Sequence, residues 1–148
     1  MTSNLSSTVA AEIERECSRL VLLFTELVDS GRYEQLKDVF APDGLFYRPA
    51  EPERAMTVDD VIASYRMRLT PHVAMHMVTN VFITPESDST ASGSARILFF
   101  AAPTEAANEV GRGRKATMQL VGRFSDRFVR TPQGWRFAER RGEMLFNV

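Results

Sequence analysis

His76 is the residue best suited to chemistry in this sequence. It stands in an apolar stretch, Val73-Ala74-Met75-His76-Met77-Val78, and a neutral imidazole can take and return a proton near neutral pH. The plain alternative is a core histidine satisfied by one hydrogen bond. Asp29 is the second candidate. It follows Leu27-Val28 at the end of a helical pattern, where the helix C-terminus disfavours a carboxylate. Either it reaches a pocket mouth, to orient or charge the histidine or to act as base itself, or it caps the junction with Ser30 and Gly31. Tyr47 and Tyr65 offer phenol donors to a carbonyl or hydroxyl oxygen, or simply pack as amphipathic edges. Asn80 shares the alternating face of His76, where a buried amide needs a ligand oxygen or a backbone partner. Glu139 shares a face with Trp135 and Phe137 and is a further candidate acid.

Metal and thiol chemistry find little support. His72 and His76 are four apart, about 13 Å along a strand, too far to chelate together. One cysteine, Cys17, excludes an intrachain disulfide and a cysteine-based zinc site, and it lies on an apolar helical stripe as a small hydrophobe. No metal and no cofactor are expected. Gly111-Arg112-Gly113 is too short for a phosphate loop and precedes a strand. The strand arginines Arg96, Arg123, Arg127, Arg136, Arg140 and Arg141 read as a cross-strand ladder with Asp126, Glu139 and Glu143; an anionic substrate is the sharper alternative. Asp126 is most simply the partner of Arg136 or Arg140. Met56, Met67, Met75, Met77 and Met118 fill a core or line a site for a flat apolar ligand.

The elements that must position these residues follow from periodicity. Ile13, Cys17, Leu20, Val21, Phe24, Leu27 and Val28 recur at helical spacing over Ser6 to Ser30, with Ser6, Ser7 and Thr8 as candidate caps and Gly31 as the stop. A short second helix runs from Tyr33 to Phe40, ended by Pro42. Leu45 to Tyr47 is a short strand and Arg48 to Met56 a loop, a rim or lid. Thr57 to Asp60 has capping-box spacing and opens a third helix, Val58 to Arg68, closed by Thr70-Pro71. From His72 the period becomes two. Strands are expected over His72–Ile83, Ala91–Ala102, Ala116–Arg130 and Trp135–Phe146, with a loop at Pro103–Lys115 and a turn at Pro132-Gln133-Gly134. Helices then strands in series mean α+β. Both faces of His72–Ile83 look buried, so a homodimer through the outer sheet face is expected.

At 148 residues with net charge −1, the chain suits a single domain, residues 1–148, with a real core. It carries no signature of nucleic-acid or membrane binding. The polar start, Met1 to Thr8, and the shortness of the apolar runs suggest a cytoplasmic protein.

Four blocks in order carry a family resemblance. They are Phe24-Thr25-Glu26-Leu27-Val28-Asp29-Ser30-Gly31-Arg32-Tyr33 with Leu36 and Val39-Phe40-Ala41-Pro42-Asp43-Gly44; His76-Met77-Val78-Thr79-Asn80-Val81; Gly122-Arg123-Phe124-Ser125-Asp126-Arg127-Phe128; and Gly134-Trp135-Arg136-Phe137 with Arg140. The chain resembles the SnoaL-like, scytalone dehydratase-like branch of the NTF2-like superfamily. The resemblance implies a cone-shaped α+β barrel of the cystatin-like type, with three N-terminal helices on a strongly curved, mostly antiparallel sheet, a pocket between them, and dimers through the sheet. It also implies a catalytic histidine at His76 and an aspartate at Asp29 that serves the site. Two departures matter. Val28 stands where the dehydratases carry a tyrosine, and no second histidine occurs around Gln119 to Val121, which puts a two-histidine dehydration in doubt.

The combined expectation is a lyase or isomerase, a dehydratase or cyclase among them, acting on a hydrophobic cyclic or polyketide-like molecule. His76 shuttles the proton with Asp29 as its partner, and Phe24, Tyr47, Tyr65, Asn80, Met118, Leu120 and Phe137 contact the substrate. The alternative is a non-catalytic ligand-binding dimer or a small subunit of a ring-hydroxylating dioxygenase.

Overall fold

The computed structural model describes residues 5–69 and 71–147; Thr70, expected to help close a helix, lies outside them. Helix α1 spans Ser7–Asp29, capped by the Ser6 side chain accepting from the Val9 N–H. Its buried stripe contains the seven apolar positions read from the sequence, together with Thr25. At its end the Arg32 N–H returns to the Leu27 carbonyl at 2.9 Å, a closure that requires the left-handed backbone of Gly31, φ 72°.

The expected second helix is a 3-10 helix, Tyr33–Asp38, and stops short of Phe40. The sheet takes the next residues instead: the Val39 carbonyl accepts the Phe137 N–H at 2.8 Å. Strand β1, Phe40–Tyr47, is correspondingly longer than the expected Leu45–Tyr47. A two-residue strand β2, Met56–Thr57, pairs with β1 and leads into helix α2, Val58–Arg66. The capping box is present: Thr57 N–H donates to Asp60 Oδ2 at 2.9 Å, and Asp60 N–H donates to Thr57 Oγ1 at 3.2 Å. The Thr57 hydroxyl also donates to Asp60 Oδ2 at 2.9 Å, and these two Thr57 donors hold the Asp60 carboxyl below its usual value.

The rest is strand: β3 His72–Pro85, β4 Thr90–Pro103, the small β5 Asn108–Glu109 and β6 Gly113–Arg114 pair inside the expected loop, β7 Met118–Thr131 and β8 Gly134–Asn147. The main sheet has the order β2-β1-β8-β7-β4-β3. It is antiparallel except for β1, which runs parallel to β8. The β7–β8 hairpin closes on Thr131 and Gly134 as read from Pro132-Gln133-Gly134. No helix among the described residues is long and apolar enough to cross a membrane.

Three bulges in the long strands decide which side chains face the helices. At Asn80, φ 50°, the β3–β4 register shifts. Val81 and Ile83 then point inward, and Phe82, which strict alternation would place on the face of His76 and Asn80, points out and is 73% exposed. In β8 the register shifts between Phe137 and Glu139, and again between Met144 and Phe146. Inward positions therefore run Trp135, Phe137, then Arg140 and Gly142. Glu139, expected beside Trp135 and Phe137, instead turns out to pair with Arg141 at 2.6 Å.

The core is an aromatic cluster of Phe24, Phe40, Phe46, Phe124, Phe128 and Phe137 between α1 and the sheet. Within it lies Arg140, fully buried and paired through two bonds to Asp126, Nε to Oδ1 at 2.9 Å and Nη2 to Oδ2 at 3.2 Å. Of the expected cross-strand ladder two pairs form, Arg123–Glu143 and Arg140–Asp126; Arg141 pairs with Glu139 within β8, and among the described residues Arg96, Arg127 and Arg136 pair with no carboxylate. Gly142 lies under Pro49: a Cβ there would stand 2.8 Å from Pro49 Cγ and Cδ. Gly142→Ala is expected to displace the 48–50 segment and cost about 1–3 kcal/mol, measurable by urea unfolding.

Candidate functional site

A cavity of about 230 Å³ opens between α1, α2 and the curved sheet. Phe24 and Tyr65 contribute from the helices, His76, Ile97, Phe99, Leu120 and Phe124 from the strands, and Arg48, Pro49 and Ala50 from the segment after β1. That segment is the expected rim. The lining is mostly apolar, with an imidazole, a phenol, three guanidinium groups and the Glu143 carboxylate as its charged and polar side chains, the usual make-up of a small-molecule site.

His76 reaches the cavity because it sits on the inward face of β3, with Phe99 directly across in β4. The two rings lie 4.5 Å apart. β3 is the edge strand, so its outer N–H groups have no ladder partner. Asp29, at the end of α1, supplies one. Its Oδ2 accepts the His76 backbone N–H at 2.7 Å, and its Oδ1 lies 2.6 Å from His76 Nδ1. Two donors from one residue thus offset the unfavourable placement of a carboxylate at a helix C-terminus. Oδ1 is an acceptor, so Nδ1 carries the hydrogen in the neutral ring, and Nε2 keeps its lone pair for the cavity. Both side chains are about four-fifths buried, with exposures of 17% and 19%. Asp29 stands behind the imidazole and is not itself part of the lining.

Tyr65 is the second polar group. Its ring stacks on Tyr33 at 5.0 Å, and burial pushes its phenol above the usual value, so it stays protonated as a donor. The guanidinium groups of Arg48 and Arg68 lie over the same ring, at 5.0 and 4.7 Å from its centroid. Neither arginine stood out in the sequence. Arg48 begins an apparently irregular loop and Arg68 follows α2, and no periodicity links positions that far apart.

Of the expected contact residues, Phe24, Tyr65 and Leu120 line the cavity. Four do not. Tyr47 alternates with Phe46, which takes the inward place, and its ring packs under the Arg141 guanidinium at 3.7 Å. Asn80 sits on the β3 bulge, exposed, accepting from Thr79 Oγ1. Met118 is 44% exposed and, with His72, borders a separate surface hollow. Phe137 is fully buried one layer below, against Phe40 and Phe128. Cys17 is fully buried, and burial pushes its thiol up to about 12, which keeps it an inert core side chain. Among the described residues, no three His, Cys, Asp or Glu side chains cluster as metal ligands.

Comparison with solved structures shows the same fold in several proteins. A candidate scytalone dehydratase from Novosphingobium aromaticivorans superposes with a TM-score of 0.79 at 17% identity, over 97% of this chain and 91% of the other. An NTF2-like protein with a cystatin-like fold, also from N. aromaticivorans, gives 0.71 at 20% identity, over 91% and 83%. A type 2 hexachlorocyclohexane dehydrochlorinase gives 0.72 at 16% identity, over 93% and 91%. No curated protein matches the sequence. The SnoaL-like domain profile matches residues 9–141, a span that holds all but the first two residues of α1, the whole rim and the His76–Asp29 pair. The chain therefore belongs to the SnoaL-like domain family, with the cystatin-like α+β fold of NTF2-like proteins.

Proposed function

We propose that the cavity binds a hydrophobic cyclic molecule and that His76 moves a proton on it, in a lyase or isomerase reaction that needs no cofactor. One observation carries this reading: an imidazole that lines an apolar cavity and is held through Nδ1 by a carboxylate behind it. Nε2 takes a proton from a carbon next to a carbonyl, and the C–H pair moves into the carbonyl as an enolate. Asp29 stabilises the imidazolium that forms. The Tyr65 O–H donates to the oxygen that becomes negative. The enolate then collapses in one of two ways. It expels a leaving group from the β carbon, which departs with the bonding pair and takes up the proton from Nε2, or, where the enolate is conjugated with a further double bond, it takes that proton back at the γ carbon. The scytalone dehydratase and dehydrochlorinase names attached to two similar folds suit the elimination branch.

The test needs no natural substrate. Bicyclic ketones such as 1-tetralone are incubated in D2O and α-proton exchange is followed by NMR. Exchange is expected to run faster with the wild-type protein than with His76→Gln by about a hundredfold or more. Equal rates would overturn the acid–base reading.

The same proposal includes a homodimer through the outer face of the sheet. Val73, Met75, Met77 and Leu98 are between 37% and 60% exposed there, with Met77 directly across from Leu98. A second copy is the cover that matches such a face. Met75→Lys with Met77→Lys is expected to give a monomer in analytical ultracentrifugation, where the wild type sediments as a dimer.

A further inference from the structure

Three guanidinium groups line the cavity against one carboxylate. Arg123 is neutralised by that carboxylate, Glu143, at 2.5 Å. Arg48 and Arg68 have no carboxylate within 4.0 Å among the described residues; Arg48 donates instead to the Ser64 hydroxyl. Both still converge on the one ring of Tyr65. Two like charges gathered at the mouth of an apolar hollow repel each other, although solvent at the exposed Arg68 screens part of the repulsion. The ring faces offset part of it, but an anion between the two would offset far more. Asp29 stands behind the imidazole, outside the lining, and lies within 4.0 Å of neither guanidinium.

We infer that the substrate carries a carboxylate, which Arg48 and Arg68 hold beside Tyr65 while its apolar ring lies against Phe99, Leu120 and Phe124. The planar forks of two arginines suit the two oxygens of a carboxylate. A neutral ring compound of the same shape leaves both guanidinium groups unanswered. This assignment rests on the reading of the cavity as a substrate site and adds the class of molecule that enters it.

The test uses matched pairs of ligands, 2-naphthoate with 2-naphthamide and phenylacetate with phenylacetamide, titrated by calorimetry and followed at the His76 ring resonances. The wild type is expected to prefer each acid over its amide by about tenfold to a hundredfold. Arg48→Gln with Arg68→Gln is expected to abolish that preference while amide binding persists, which also shows that the variant is folded. Should the double variant not fold, Arg68→Gln alone, at an exposed position, must lower acid affinity severalfold, and Arg68→Lys, which keeps the charge but not the fork, must restore only part of it. Acid and amide binding equally well, or a preference that survives both substitutions, overturns the anion assignment and leaves the cavity as a substrate site. Failure of all four compounds to bind or to move the His76 resonances overturns both readings together.

Discussion

Asp126→Ala is expected to lower the unfolding free energy by about 3–5 kcal/mol. The reason is the place of its partner. Arg140 has no exposed surface, and its guanidinium carbon lies 3.8, 4.5 and 4.6 Å from the ring centroids of Phe124, Phe137 and Phe24. Those ring faces attract the cation, yet Nη1 already has no hydrogen-bond partner among the described residues. Removing Asp126 leaves a full charge in an aromatic core with two more donors unanswered. Replacing both members removes the charge with its partner, so Asp126→Leu with Arg140→Met is expected to be neutral or stabilising by about 1–4 kcal/mol. Urea unfolding of the wild type and the two variants separates the cases.

The same pair gives a pH signature. Burial pushes the Asp126 carboxyl from 3.8 up to about 6, against the opposing pull of Arg140. The folded value thus exceeds the unfolded one. Between the two the folded chain holds a proton that the unfolded chain has released, so the stability from Asp126 is complete below 3.8 and is lost as pH rises toward 6. Asp126→Asn cannot titrate. The stability difference between wild type and Asp126→Asn, read from urea midpoints, should fall across that window and stay level above it.

Asp29→Asn is expected to reduce His76-dependent proton exchange by about a hundredfold to ten-thousandfold with little change in fold. Two donors converge on the carboxylate, the His76 backbone N–H and Nδ1–H. A carboxylate accepts both. The two donors use different oxygens, and an amide has an oxygen at only one of those two places, so in the same pose it can accept only one of them. If the oxygen keeps the backbone N–H, the NH2 must donate to Nδ1, and the ring hydrogen moves to Nε2. The lone pair then faces the helix and not the cavity. Long-range proton–nitrogen NMR reads the tautomer directly, and with two histidines in the chain the assignment is simple. An unchanged His76 tautomer in Asp29→Asn would show that the carboxylate does not set the ring.

Helices α1 and α2 and the strand hairpin were legible because they follow local periodicity. The stripe from Ile13 to Val28 can be buried only as a helix, and Thr57 with Asp60 caps α2 through atoms three residues apart. Pro132, Gln133 and Gly134 set the β7–β8 turn. The second helix is shorter than its sequence pattern implies because a long-range bond, Phe137 N–H to the Val39 carbonyl, draws the chain into the sheet. The strand faces past Asn80 and past Phe137 depart from strict alternation because one extra residue at a bulge reverses every side chain beyond it. That reversal put Phe82 outside and brought Arg140 inside, in place of Glu139.

By itself the sequence determined an α+β chain with one imidazole and one carboxylate worth pairing. Both lie in regular elements, whose side-chain directions follow from local spacing. Only the tertiary structure decided that Asp29 and His76, 47 residues apart, meet at 2.6 Å, and that Arg48 and Arg68 converge on Tyr65. Such meetings depend on how far the sheet bends and where it bulges, and those are set by packing across the whole core rather than by neighbours along the chain.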